Sequence, residues 1–567
     1  MNYTARWLVV AMLVAPPLAA QDTTAAAVAN ALRAAIAAVE MPADRAELVV
    51  TRPALVRLYD SSGARPIWTA DGRPTAQAHR FVARLEAIGD QGLPVEEYEG
   101  ESLRRRIAII ASRTGDVAER ARFDVEMSVA AMRVLGHLHA GRVDPTTIGL
   151  HLPLGHSRTD LAALALDVAR GPDVDAALAA IEPPYIGYRA LTRLLPRYRA
   201  LAADSSLRPP RARAGVVRPG DAYDEAPQLR RFLRALGDGA PADGAISTTA
   251  EAEPVQRAPA VAIEQPGDSL VYDEALAAAV RSFQERHGLV EDGIIGPATL
   301  AALRVPLARR VEQIELTLER WRWLSDAPAP RHVIVNVATF RLEAFVPDLR
   351  DRAALSMKVI VGEARRSRAT PIFFGTMTTV VFRPYWDVPA SIARAELIPA
   401  IRRDPSYLGR QHLEIVRGGD DDAVIYPPTS DNLGRVLAGT LRLRQRPGPH
   451  NALGLIKFLF PNPYNVYLHG TPATQLFAHT RRDFSHGCIR IEDPTALAEL
   501  VLRDQPGWDR MAIDAATNDT STRRVQVRDP IGVIVFYATA VVDDRDRARF
   551  APDVYGHDAR LRTALGR

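Results

Sequence analysis

The chain has a single cysteine, Cys488, in the run Phe484-Ser485-His486-Gly487-Cys488-Ile489-Arg490. A second histidine–glycine pair, His469-Gly470, precedes that cysteine by nineteen residues. One cysteine excludes an intrachain disulfide and leaves a reactive thiol, an intermolecular link or no role. A thiol attacks a carbonyl as the thiolate, so it needs a lowered pKa or a base beside it. His469 is the better base, because a histidine at the end of a neighbouring strand approaches the sulfur from the side. His486, on the same turn, is expected to shape the site by hydrogen bonding. Gly487 lets the backbone turn tightly, and the N–H groups of Gly487 and Cys488 are candidates for an oxyanion hole. Gly470 has no side chain with which to orient His469, which leaves that task to a backbone carbonyl. Arg490 is placed to hold a substrate carboxylate or to stabilise the thiolate. Two blander readings compete: an inert buried cysteine, and a zinc site with only His469, His486 and Cys488 as ligands.

The elements that must position these groups are β-rich. His332–Val346 alternates over much of its length, and Ser356–Gly362 and Thr376–Phe382 continue the pattern. From about 393 to 450 the pattern loosens, with Gly418-Gly-Asp-Asp-Asp422, and reads as an insertion of the kind that forms lids or binding elements. Upstream, residues 21–207 read as helical, with Phe123, Met127, Ala130, Ala131, Val134 and Leu138 at helical spacing. Leu55, Tyr59 and Pro66-Ile-Trp68 read as core packing, and His137 and His139, on different helix faces, as structural. A Pro/Arg/Gly linker is expected over 208–220, a short amphipathic helix at Leu229–Gly237, and a polar loop up to about Asp268.

At 567 residues the chain is too long for one core, and about 150 residues per domain suggests three or four units. The formal charge of +4 is small for this length, and no dense basic tract interleaved with aromatics marks a nucleic-acid binder. Residues 1–20 read as an export signal: Arg6, an apolar run from Trp7 to Val14, and Pro16-Pro-Leu-Ala-Ala20 before Gln21. That run is too short to span a bilayer, so a soluble, extracytoplasmic protein without stable membrane insertion is expected.

Two resemblances follow from longer motifs. Phe283-Gln-Glu-Arg-His-Gly-Leu289, Asp292-Gly293, Gly296 and Thr299 resemble the three-helix peptidoglycan-binding domain, here expected over 221–305, with glycines where φ is positive and Pro297 in a first helical turn. Tyr467-Leu-His469-Gly470-Thr-Pro472 followed by Ser485-His486-Gly487-Cys488-Ile-Arg490 resembles the catalytic motif of the YkuD-type L,D-transpeptidases. The helical first half, Pro384-Tyr-Trp-Asp-Val-Pro389, the insertion, Pro530–Ala540 and Asp553-Val-Tyr-Gly556 resemble the long, YcbB-like branch of that family.

The resemblance implies a multidomain α+β protein: a helical scaffold, the peptidoglycan-binding domain and a mainly β catalytic domain over 306–514 with an inserted capping segment. Residues 515–567 would form an extension packing on the scaffold. It implies acyl transfer without metal or cofactor, in the periplasm. Cys488 attacks a peptidoglycan tetrapeptide stem at its third residue and releases D-alanine, and His469 takes the thiol proton and later activates the acceptor amine, giving a 3→3 crosslink. Ser485, His486, Gly487 and Gly470 belong to the catalytic motif. Trp386 and Tyr467 are expected as pocket walls or core, and Arg482 and Arg490 as partners of substrate carboxylates. Some relatives carry serine where this chain has Gly470, which puts the orienting partner of His469 in question. Two other outcomes stay open: a carboxypeptidase or endopeptidase using water as acceptor, and a wall-anchoring protein with a degenerate catalytic half. Cell-wall synthesis or carboxypeptidase partners would supply tetrapeptide donors.

Overall fold

The computed structural model describes residues 18–39, 51–112, 116–150, 152, 159–211, 215–239, 269–324, 331–349, 352–365, 368–419 and 422–567. Most of the expected export signal, and residues 240–268 of the expected polar loop, lie outside the described residues. No helix among the described residues is long and apolar enough to cross a membrane. The chain divides into two compact units, one of residues before 145 together with 154–183, the other of 145–153 and 184–567.

The first unit is helical, as its spacing predicts. Helix Val117–Ala140 is the centre of its core: Asp116 caps it by accepting from the Ala118 N–H, and its apolar positions are buried with Leu55, Leu58, Trp68 and Phe81. One carboxylate is buried among them. Asp124 accepts from the Ile67 and Trp68 N–H groups and from Tyr59, which satisfies it. His137 and His139 bond Tyr98 and Thr159, consistent with the structural roles expected for them.

The second unit begins earlier than the expected scaffold boundary at 207. Helix Ile186–Ala203 packs on helix Leu307–Arg322 so closely that a Cβ on Gly187 would lie 2.6 Å from the Trp321 ring. The peptidoglycan-binding-like segment follows the motif closely. Asp273 caps helix Glu274–Arg286, Pro297 opens helix Pro297–Leu303, and Gly288 and Gly293 have φ of 64° and 68°. Gly296 departs from the expectation: its φ is −88° and it serves as the N-cap. Gln284 joins the two helices, donating to Asp292, the Ile294 carbonyl and Thr299 while accepting from the Gly293 N–H.

Nine strands build the sheet of the expected catalytic domain: β1 His332–Asn336, β2 Arg341–Phe345, β3 Leu355–Gly362, β4 Phe373–Phe382, β5 Ile456–Leu459, β6 Leu468–His469, β7 Asp483–Ser485, β8 Ile489–Ile491 and β9 Arg523–Phe536. Their order is β7-β3-β8-β6-β5-β4-β9-β1-β2, and β2 also pairs with β3, so the sheet closes on itself. Closure covers the edge of β2 and leaves β7 as an edge strand on β3. The expected domain end at 514 is therefore corrected. β9 lies between β4 and β1, pairing with both, and its run Ile531–Phe536 is fully buried. The remaining C-terminal residues clasp other parts of this unit. Arg320 meets Asp558 at 2.6 Å, Gln313 donates to the Ala551 carbonyl, and Arg547 and Arg549 reach Glu285.

The insertion is more ordered than its loosened pattern implies. Strands Trp386–Asp387, Arg442–Gln445, Leu413–Arg417 and Val424–Tyr426 form a four-stranded sheet in that order. Ile398, Ile401, Ile415, Leu433 and Leu443 give it a small core of its own.

Candidate active site

The turn Ser485–Cys488 joins β7 to β8 and is shaped by hydrogen bonds to its own backbone. The Ser485 hydroxyl donates to the Cys488 carbonyl and accepts from the Gly487 N–H at 3.1 Å. Gly487 has φ of 123°, which L side chains rarely adopt, so glycine is required there. Thr370 fixes the turn from outside, donating to the Gly487 carbonyl at 2.8 Å while accepting from the Gly362 N–H. One consequence corrects an expectation. The Gly487 N–H is taken by Ser485, so of the two expected oxyanion donors only the Cys488 N–H lacks a partner among the described residues.

β6 brings His469 alongside. β6 and β8 run parallel, with Leu468 opposite Ile489 and His469 opposite Arg490, and the Ile489 N–H donates to the Tyr467 carbonyl. Adjacent strands lie about 4.8 Å apart, so the imidazole stands one strand from the cysteine turn. His469 is buried, and its Nδ1 meets the Gly470 carbonyl at 2.6 Å. With Nδ1–H donating there, Nε2 carries the free lone pair. Burial pushes the pKa down to about 3, helped by Arg490 and Lys457, so the ring is neutral at physiological pH. The orienting groups are thus backbone carbonyls, that of Gly470 with a further contribution from that of Leu453.

The thiol is also perturbed. Burial raises its pKa, while hydrogen bonds from the Tyr467 N–H and phenol, and the charges of Lys457 and Arg490, oppose that rise. Cys488 Sγ lies 3.7 Å from the Asn465 carbonyl, in a loop that Asn462 holds through four backbone hydrogen bonds. Tyr467 links the cysteine to the insertion, because its phenol hydrogen-bonds both Cys488 and Trp386 and its own pKa is driven far up by burial. Of the two expected aromatics, Tyr467 therefore lies at the sulfur and Trp386 on the Tyr467 phenol.

Arg490 stays at the site: burial lowers its pKa, Cys488 opposes that, and its guanidinium has no hydrogen-bond partner among the described residues. Arg482 does not. It is buried with its donors on the Val359, His479, Thr480 and Phe340 carbonyls, which removes it from substrate binding and makes it a clamp between strand ends. His486 turns to Glu396 of the insertion at 2.7 Å, and Glu396 also meets Arg368. That hydrogen bond from His486 holds the Glu396 carboxyl below its usual range. Among the described residues, no group of three His, Cys, Asp or Glu is placed to hold a metal ion.

Lys457 escaped the sequence reading, although a signal existed. Of 71 Lys and Arg residues only Lys358 and Lys457 are lysine, and Lys457 stands in the apolar run Leu455–Phe460. Its Nζ lies 3.9 Å from the Tyr467 ring centre, a cation–π contact, and it is directly opposite His469.

Comparison with known proteins agrees with this architecture. Residues 330–527 match the L,D-transpeptidase catalytic domain model, 264–303 a model described as a putative peptidoglycan binding domain, and 53–195 a scaffold domain model. A Haemophilus influenzae protein described as a putative L,D-transpeptidase is 29% identical over 255 residues, which is 45% of this chain and 49% of that protein. The match thus spans about half the length of the relative. The β-rich segment that carries Cys488 and His469 is an L,D-transpeptidase catalytic domain of the YkuD family, joined in one chain to a peptidoglycan-binding domain.

Proposed function

We propose that the protein is a peptidoglycan L,D-transpeptidase that forms 3→3 crosslinks through a cysteine acyl-enzyme. The observation that carries this reading is a neutral His469, held by the Gly470 carbonyl, on the strand parallel to the one that Cys488 leads into, with Arg490 opposite His469. In the first step Nε2 of His469 takes the Cys488 proton as the sulfur attacks the carbonyl of the third residue of a tetrapeptide stem. The Cys488 N–H stabilises the oxyanion, and collapse expels D-alanine, whose nitrogen receives the proton from His469. In the second step His469 accepts a proton from the side-chain amine of another stem as that amine attacks the thioester and regenerates the thiol. Tyr467 holds the thiolate by its hydroxyl, and Trp386 fixes Tyr467. Substrate carboxylates fall to Arg490, and His486 anchors the insertion to the turn. The peptidoglycan-binding domain retains the polymer, and the export signal expected at residues 1–20 places the reaction in the periplasm.

Incubation of purified protein with muropeptides, read by mass spectrometry, tests the proposal. Linked dimers that vanish in Cys488→Ala support it. Loss of D-alanine without dimers assigns the chemistry to hydrolysis, and a Cys488→Ala variant indistinguishable from wild type ends the catalytic reading.

A further inference from the structure

Acyl transfer by Cys488 and His469 leaves the Asp553-Val-Tyr-Gly556 motif, near the end of the chain, without a part. The fold nevertheless carries one of its side chains to the cysteine turn. Tyr537, the residue after β9, is buried and donates from its phenol to Asp553 at 2.7 Å. The same oxygen accepts from the Tyr555 N–H at 3.0 Å, so the end of β9 fixes the backbone at Tyr555. The Tyr555 phenol in turn donates to the Gly362 carbonyl and accepts from the Thr370 N–H at 3.2 Å. Burial pushes its pKa up to about 12, so it keeps the proton it donates near neutral pH.

Thr370 has one hydroxyl proton, and its surroundings decide where that proton goes. The Gly362 N–H occupies a lone pair of Oγ1 at 2.8 Å, and the proton goes to the Gly487 carbonyl, also at 2.8 Å. The loop before Thr370 lies hard against the end of β3: a Cβ on Gly362 would stand 1.9 Å from the Arg368 carbonyl oxygen and 2.7 Å from the Thr370 nitrogen. Gly362 is also the partner of Ser485 in the pairing of β3 with β7. The threonine is thus fixed to the strand that bears the cysteine turn. The Gly487 carbonyl and the Cys488 N–H belong to one trans peptide, in which the two groups point in opposite directions. Holding that carbonyl on Thr370 therefore aims the Cys488 N–H to the other side of the turn.

We propose that Thr370 and Tyr555 are positioning residues of the acyl transfer: Tyr555 sets Thr370, and Thr370 turns the Gly487–Cys488 peptide so that its N–H meets the oxyanion. Neither side chain touches substrate. The C-terminal extension thereby contributes to the reaction as well as to packing. The inference rests on the acyl-enzyme reading, because attack on a carbonyl is what forms the oxyanion, but it is indifferent to whether an amine or water resolves the thioester.

The test uses two reagents for the single thiol of the full-length protein. The thiolate attacks the carbonyl of p-nitrophenyl acetate through a tetrahedral oxyanion, forming an S-acetyl group and expelling nitrophenolate. With iodoacetamide it displaces iodide at a saturated carbon, and no oxyanion forms. The nitrophenolate burst is scored as the part that Cys488→Ala abolishes. Thr370→Val keeps the shape and removes the hydroxyl; it is expected to slow the burst about tenfold or more while alkylation stays within about twofold. Tyr555→Phe is expected to slow the burst about threefold, and Thr370→Ser to restore it. With a tetrapeptide stem the loss should fall on kcat rather than KM. A burst that Thr370→Val leaves unchanged overturns the proposal, as does a Thr370→Ser variant as slow as Thr370→Val. Equal losses with both reagents would mean general damage to the turn and overturn it too, as would a wild type without any Cys488-dependent burst. D-alanine release by the wild type is scored separately. Its absence beside a Thr370-dependent burst refutes the transpeptidase reading and leaves the positioning role standing.

Discussion

Two buried histidine–glycine pairs in this molecule have nearly the same electrostatics and different surroundings. His287 in the peptidoglycan-binding-like segment donates from Nδ1 to the Phe283 carbonyl at 2.7 Å, and His469 does so to the Gly470 carbonyl at 2.6 Å. Burial, reinforced by neighbouring arginines, drives both pKa values down. The difference is what the rest of the ring meets. His287 stacks on Phe283 at 3.8 Å between centroids and lies against Phe550, while His469 lies beside Tyr467 on the strand next to Cys488. A depressed pKa and a fixed tautomer thus do not make a histidine catalytic. A thiol one strand away supplies what the other site lacks.

Exchanging each histidine for glutamine is the strongest way to break this comparison. His469→Gln is expected to slow D-alanine release by roughly 10²–10⁴-fold, the usual worth of a general base, whereas His287→Gln leaves the rate per folded molecule unchanged. Equal losses of activity would erase the distinction. The next effect concerns stability alone. Arg286, beside His287, is paired with Asp238 by two hydrogen bonds in a fully buried ion pair. Asp238→Ala strands that charge, and urea unfolding is expected to show about 3–5 kcal/mol of lost stability with acylation by the remaining folded protein intact.

A third prediction treats the two histidines alike. Each is neutral in the fold and protonates near pH 6.5 when unfolded, so the unfolded chain binds more protons below that value. Stability is complete above pH 6.5 and lost as pH falls towards the depressed folded values. For His469, whose folded pKa is about 3, the loss is about 2 kcal/mol at pH 5. The gap between urea midpoints at pH 7.5 and pH 5 should narrow when either residue becomes glutamine; an unchanged gap would contradict the burial argument. The smallest effect is at the thiol. Tyr467→Phe removes a hydrogen bond to the thiolate, which raises the Cys488 pKa further, and iodoacetamide alkylation at pH 8 should slow about tenfold. Faster alkylation would mean that the phenol shields the sulfur rather than stabilising the anion.

The parts of the site written contiguously in the chain were legible before the structure. Ser485–Cys488 and His469-Gly470 are local motifs, and the need for a backbone carbonyl at His469 followed from Gly470 having no side chain. What depends on register between distant strands was not legible. Nothing in the sequence aligns Arg524 and Lys457 with His469, because their neighbour relations come from pairing across β9, β4, β5 and β6. Arg482 shows the converse: an arginine six residues from the cysteine invites a substrate role, yet strand-end carbonyls take its donors. The end of the catalytic domain was misread for a similar reason. β9 follows a helical stretch in sequence, and only its pairing with β1 and β4 places it inside the sheet.

The most direct measurement is the intact mass of the full-length protein quenched during a single turnover with a disaccharide-tetrapeptide donor. The account predicts a covalent adduct equal to the donor less D-alanine, mapped to Cys488 by peptide sequencing, absent in Cys488→Ala and strongly reduced in His469→Gln. Crosslinked product without any adduct on Cys488, or an adduct on another residue, would contradict it.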